Sequence, residues 1–177
     1  MPEYRILSSS QIYTGRTISL RVDKVQLPSG KQTEREVVEH HGAVAIIALG
    51  SDGHVLLEKQ FRHAAGKELF EIPAGGIDRG ETPEETARRE LQEEVGLFPK
   101  KLEHLCSFYS APGFTNEYLH LFLATELTPS RLVADDTEEI SIVKMSLPET
   151  VEMIRCGNIE DAKSITGLLY YLKFKAA

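Results

Sequence analysis

The chain has 177 residues, 41% hydrophobic and 27% charged, a balance that suits one compact globular domain with a small appendage and excludes a disordered chain. A formal charge of -7 argues against a nucleic-acid partner, which needs clustered Lys and Arg, but leaves room for a small phosphate ligand if a divalent metal supplies the positive charge. The two cysteines, Cys106 and Cys156, lack metal-ligand spacing and read as reduced and buried; no signal-peptide pattern opens the chain and no apolar run nears the roughly 20 residues of a membrane span, so the cytoplasm is the expected location.

Residues 17–27 read as a strand, with Ile18, Leu20, Val22 and Val25 apolar. The turn Pro28-Ser29-Gly30-Lys31 leads to a second extended stretch, 33–41, so 1–41 is expected to form an antiparallel β-hairpin subdomain. A lone hairpin is marginally stable, so this one must pack on the rest of the chain or on a partner subunit. Residues 42–177 form the main domain. Strands are expected at 43–49, 54–61, 69–72, 107–109, 118–124 and 140–145, with a loop over 73–80 and a Pro-Gly turn at Pro112-Gly113. Helices are expected over 83–95, from the Ser146-Leu147-Pro148-Glu149 capping box to about Gly157, and from about Asp161 onward. Many strands with few helices imply an α/β (α+β) fold, a mixed sheet sandwiched between helices.

The chemistry concentrates in Gly75 to Leu97, GGIDRGETPEETARRELQEEVGL. Thr82 caps the helix, Pro83 takes its first position, Glu85 closes a capping box and Gly96 ends it. On a helical wheel Ala87, Leu91 and Val95 form the buried stripe, and Glu90, Glu93 and Glu94 share an arc of roughly 100° beside it. Glu84 with Arg88, and Glu85 with Arg89, have the spacing of ordinary four-apart salt bridges, and Arg89 can also reach Glu93. Glu90 and Glu94, four apart, repel by several tenths of a kcal/mol and have no basic residue three or four places away. A solvated charged face and a site for a hard divalent cation both fit this pattern.

The segment resembles the Nudix box, G-x5-E-x7-R-E-U-x-E-E-x-G-U with U a bulky aliphatic residue. Gly75, Glu81, Arg89-Glu90-Leu91, Glu93-Glu94 and Gly96-Leu97 fill every defined position. The resemblance implies the Nudix fold and attack of water on a diphosphate. It also implies Mg²⁺, with Mn²⁺ a possible substitute, held by Glu90, Glu93 and Glu94 and by the carbonyl of Ala74. Glu81 becomes an outer or second-metal residue, and Arg89 orients a glutamate by salt bridge.

Outside the box, Ser110-Ala111-Pro112-Gly113-Phe114-Thr115-Asn116-Glu117, with Pro112 sixteen residues after Gly96, resembles the ADP-ribose pyrophosphatase branch. So do Arg35-Glu36-Val37-Val38-Glu39-His40, Lys59-Gln60-Phe61-Arg62 and Leu69-Phe70-Glu71-Ile72-Pro73-Ala74. In that branch the N-terminal hairpin is exchanged between two subunits, which implies a homodimer. Arg35 and Arg62 become candidate contacts to phosphate or base, Glu117 to ribose, and Gly113 and Phe114 line the same candidate pocket. Phe70, Phe114 and Tyr118 suit either base stacking or the core. Glu138 and Glu139 lie where the branch carries a catalytic glutamate in a loop, and alignment on Ile140-Ser141-Ile142-Val143 favours Glu138. The expected reaction is hydrolysis of ADP-ribose to AMP and ribose 5-phosphate. Another nucleoside diphosphate sugar such as GDP-mannose, or a module that binds ADP-ribose without cleaving it, are the rival readings.

Overall fold

The computed structural model describes residues 3–133 and 140–176. They divide into two compact units, one of residues 3–42 with 109–118, the other of the remainder.

The first unit holds a three-stranded antiparallel sheet, β1 (Arg5–Thr14), β2 (Ser19–Gln26) and β3 (Gln32–Glu39), in that order. The β2–β3 hairpin matches the expected one, but β1 is an additional strand. All ten of its residues are exposed, so no alternation of burial marks it in the sequence. Asp23, buried on β2, accepts hydrogen bonds from Ser9 Oγ at 2.7 Å and Arg21 Nε at 3.1 Å, which ties β1 to β2. The Pro112-Gly113 loop adds to the end of β3: Val38 N–H donates to Phe114 O at 2.8 Å and Asn116 N–H donates to Val38 O at 3.2 Å.

The second unit is built on a mixed sheet in the order β10 (Ser141–Ser146), β5 (His54–Arg62), β4 (Ala43–Leu49), β9 (Tyr118–Pro129), β8 (Leu97–Tyr109). Strands β6 (Lys67–Glu71) and β7 (Ala74–Gly76) pair with β5 and β4. The central β4 runs parallel to β9 and antiparallel to β5 and β7. Its unbroken apolar run follows from cover on both faces. Ala45 and Ile47 join Leu57, Ile72, Leu121 and Leu168 on one side. Val44, Ile46 and Ala48 join Ala87, Leu91 and Phe122 on the other. Helix α1 (Pro83–Glu90) covers the second face, and α2 (Leu147–Arg155) with α3 (Ala162–Phe174) covers the first. This is the expected sheet between helices.

Four expectations need correction. The stretch 73–80 contains the short strand β7, because β4 offers it a free edge at Ala43–Ala45. The helix over 83–95 is α-helical only to Glu90; Leu91–Val95 continues as a wider π turn. The strands at 107–109 and 118–124 are the ends of longer strands. Cys106 is half-buried and Cys156 exposed; both are free thiols, but neither is a core residue.

Candidate active site

Helix α1 begins as its sequence dictates. Thr82 Oγ1 accepts from Glu85 N–H, and Glu85 Oε2 accepts from Thr82 N–H at 2.8 Å, a closed capping box with Pro83 in the first turn. Such a cap stabilises a helix by about 1 kcal/mol. Gly96 ends the segment at φ 77°, a left-handed conformation costly for a residue with a Cβ. With both ends set and Ala87 and Leu91 fully buried, the rotation of the segment is determined: Glu90 lies against Gly75 of β7, and Glu94 reaches Ala74 of β7 and Glu58 of β5.

Arg89 is the hub. Its Nε donates to Glu81 Oε1 at 3.0 Å and its Nη2 to Glu81 Oε2 at 3.1 Å and to Gly76 O at 3.2 Å. Its Nη1 lies 2.8 Å from Glu90 Oε1 and 2.9 Å from Glu93 Oε2. Arg89 therefore gathers three of the predicted residues rather than pairing with Glu85, which is spent on the cap. Arg88 also departs from the simple four-apart pair: its guanidinium bonds Pro99 O and lies 5.2 Å from the centroid of the Phe98 ring. Although burial opposes the Arg89 charge, Glu81, Glu90 and Glu93 hold the guanidinium firmly protonated. In return, Arg89 keeps the Glu81 carboxyl below its usual range.

The inner acids behave differently. Burial pushes the Glu90 carboxyl up to about 6 despite Arg89. Burial, together with the adjacent Glu58, raises Glu94 well above the ordinary carboxylate range, and burial raises Glu58 likewise. The Glu58 and Glu94 carboxyls hydrogen-bond each other, and Glu94 Oε2 also accepts from Ala74 N–H at 3.2 Å. Among the described residues no three acidic, histidine or cysteine side chains already converge as a cation cage, and Arg89 sits within the Glu81–Glu90–Glu93 group. The donor set nevertheless suits a hard divalent cation. It is all oxygen and buried or half-buried, and an added positive charge would offset the burial, reinforced by neighbouring acids, that raises Glu90 and Glu94.

Of the substrate candidates, Arg62 sits in this unit. Its Nε and Nη2 donate to Glu71 Oε1 and Oε2 at 2.8 and 2.9 Å, and Lys163 also pairs with Glu71, which is buried. Arg35, Gly113, Phe114 and Glu117 belong to the first unit. Arg35 Nη1 donates to Glu34 O at 3.0 Å, Phe114 is exposed, and Glu117 Oε1 lies 3.9 Å from His40 Nδ1. Glu138 and Glu139 lie outside the described residues. Sequence reasoning missed Glu58 and Glu71. The signal was a glutamate inside an apolar strand, Val55-Leu56-Leu57-Glu58 and Phe70-Glu71-Ile72, where strand alternation leaves an acid with no solvated side.

Comparison with known proteins identifies the family. Residues 39–167 match the model of the NUDIX domain, and residues 4–38 match that of the nucleoside diphosphate sugar hydrolase N-terminal domain. The chain is 38% identical over 177 residues to the ADP-ribose pyrophosphatase of Bacillus subtilis, covering 99% of this chain and 95% of the relative. It is 37% identical over 170 residues to the methanol dehydrogenase activator of Bacillus methanolicus, covering 95% and 92%. A solved structure described as an ADP compounds hydrolase superposes with a TM-score of 0.87 over 97% of this chain and 94% of that one, at 22% identity. Nudix hydrolases generally act with divalent metal cations. With the box complete and seated on its helix, and the model matched over most of the chain, this protein belongs to the NUDIX family of pyrophosphohydrolases.

Proposed function

We propose that the protein hydrolyses ADP-ribose to AMP and ribose 5-phosphate with Mg²⁺, for which Mn²⁺ can substitute. The observation that carries this reading is the near full-length similarity to an ADP-ribose pyrophosphatase, joined to a complete set of box carboxylates. Glu90, Glu93 and Glu94, with the carbonyl of Ala74, would hold the cation, and Glu81 stands behind them through Arg89. A divalent cation bound there neutralises the diphosphate and makes a water molecule easier to deprotonate. The chain's own residues do the rest. Arg89 orients Glu90 and Glu93 through fixed donors. Arg62, clamped by Glu71, presents a guanidinium whose direction is set before substrate arrives. Glu138, or its neighbour Glu139, takes the proton of the attacking water. The water oxygen bonds to one phosphorus, the bridging P–O bond breaks, and the second phosphate leaves with its sugar or nucleoside.

Residues 1–41 serve in this reading as the N-terminal subdomain exchanged in a homodimer, and 42–177 as the hydrolase domain. Support for the dimer comes from β1, where Tyr4, Ile6, Leu7, Ile12 and Tyr13 make an exposed apolar set near or on an edge strand. Arg35, Gly113, Phe114 and Glu117 are assigned to the nucleoside and ribose. The cytoplasm is the compartment that suits two free thiols; among the described residues no helix is long and apolar enough to cross a membrane.

The test is a panel of ADP-ribose, GDP-mannose and other nucleoside diphosphate derivatives with Mg²⁺ or Mn²⁺, run in ¹⁸O-water with product identification. ADP-ribose is expected to give the highest kcat/KM, with label in one phosphate product. Preference for GDP-mannose, or binding of ADP-ribose without turnover, would overturn the assignment.

A further inference from the structure

One buried carboxylate beside Glu94 comes from neither the box nor its helix. Glu58 lies on β5 and is 2% exposed. Alternation along the strand turns Leu57 into the core shared with α3 and Glu58 to the opposite face, where Leu56 packs with the α1 cluster. Its carboxyl touches that of Glu94, and Glu58 Oε1 is buried with no hydrogen-bond partner. A buried carboxylate oxygen without a donor is strongly disfavoured unless a proton or a cation neutralises it. Arg89 donates to Glu81 and Glu93, and Arg62 and Lys163 pair with Glu71 while their charges also favour the ionised form of Glu58 from a distance.

We infer that Glu58 is a further oxygen ligand of the divalent cation, offered by the sheet and gripping the ion together with Glu94. This rests on the cation site proposed above and extends it beyond the box. A hard cation takes six or more oxygen ligands, and an added carboxylate raises ligand charge, which tightens binding. Glu58 then sets how tightly the ion is held before substrate arrives.

The experiment counts bound Mn²⁺ by electron paramagnetic resonance on the full chain without substrate, comparing the unmodified protein with Glu58→Gln, Glu58→Val and Glu94→Gln. Thermal unfolding without metal is recorded alongside. Both Glu58 variants remove a buried ionisable carboxyl and are expected to unfold within a few degrees of the unmodified temperature. Their tightest Mn²⁺ site is expected to weaken by about tenfold or more, or to vanish from the stoichiometry. Unchanged affinity and stoichiometry in both Glu58 variants, with a site lost in Glu94→Gln, would overturn the inference and leave Glu58 as a proton-sharing partner of Glu94. Wild-type binding in Glu94→Gln as well would instead remove the cation site itself, and the inference with it. A Glu58→Gln chain that fails to fold leaves Glu58→Val to decide between these results.

Discussion

The carboxylate of Glu90 lies against the α-carbon of Gly75: a Cβ at that position would meet Glu90 Cδ and Oε1 at 2.0 Å and Oε2 at 2.5 Å. The glycine that opens the motif is thus required by space, since an acid from α1 occupies the volume any other side chain would need. The obstructing atoms are the far end of a flexible side chain, so the fold can yield while the carboxylate cannot stay. Gly75→Ala is expected to change stability by no more than about 1 kcal/mol. Activity should fall on the order of 10- to 100-fold, the size seen when a metal ligand loses its support. Metal titrations of the initial rate beside thermal unfolding check this; a fall in stability matching the fall in activity would count against it.

Arg89 yields the second prediction. It reaches Glu81 with two donors, Nε and Nη2, and Glu90 and Glu93 with Nη1. A lysine keeps the charge but has no planar fork to hold three carboxylates in fixed directions. Arg89→Lys should therefore fail almost as badly as Arg89→Gln, with Mg²⁺ affinity weakened roughly 10- to 100-fold in both. Isothermal titration with Mg²⁺ reads the difference. Near-normal binding in Arg89→Lys would show that charge, not geometry, is what the site needs.

The helix that carries these residues was legible because its signals are local. Thr82, Pro83 and Glu85 set its start and Gly96 its end, and the wheel places Ala87 and Leu91 inward without knowledge of what they touch. Arg89 was harder. Its four-apart reach to Glu93 is visible in the sequence, but its grip on Glu81 depends on the path of the loop before the helix. Glu58 and Glu71 stand out in the sequence only as acids inside apolar strands; what they meet could not be read there, because their partners, Glu94, Arg62 and Lys163, arrive from other elements. Strand β1 escaped for the opposite reason: it is exposed along its length, and backbone pairing rather than a hydrophobic face defines it.

A third prediction concerns pH. Glu90 is raised from an ordinary value of 4.5 to about 6 by burial, and Glu58 and Glu94 are raised as well. A carboxyl raised in the folded state favours folding while protonated. Its contribution is complete below about 4.5 and is lost as pH climbs through the folded value. Without metal, these groups should lower Tm as pH rises from 5 to 8, with Glu90 accounting for on the order of 1 kcal/mol over that window. Mg²⁺ binds the ionised forms, so the Tm gain at saturating Mg²⁺ should grow over the same window. Scanning calorimetry with and without Mg²⁺ measures both slopes. A metal-induced gain that is flat or shrinking with pH would contradict the assignment of these acids to the cation.

The last prediction separates Glu71 from the acids beside it. Burial alone would raise its carboxyl, but Arg62, with two donors, and Lys163 together bring it below the ordinary value. The sign is thus opposite to that of Glu90: stability is present above the unfolded value and lost as pH falls through the folded one. Replacing Glu71 with Gln leaves Lys163, whose side chain is 15% exposed, and half-buried Arg62 without their shared anion. Breaking a buried ion pair from one side costs about 3–5 kcal/mol, and exposure of the Arg62 edge places this case toward the lower figure. Glu71→Gln should therefore unfold at a clearly lower temperature at pH 7 and lose less relative to the unmodified protein at a pH well below 4.5, once the native carboxyl itself is protonated. If Arg62 is also a substrate contact, KM should rise more than kcat falls, because its guanidinium loses the two bonds to Glu71 that orient it. An equal loss of stability at both pH values would show that Glu71 acts through packing rather than charge.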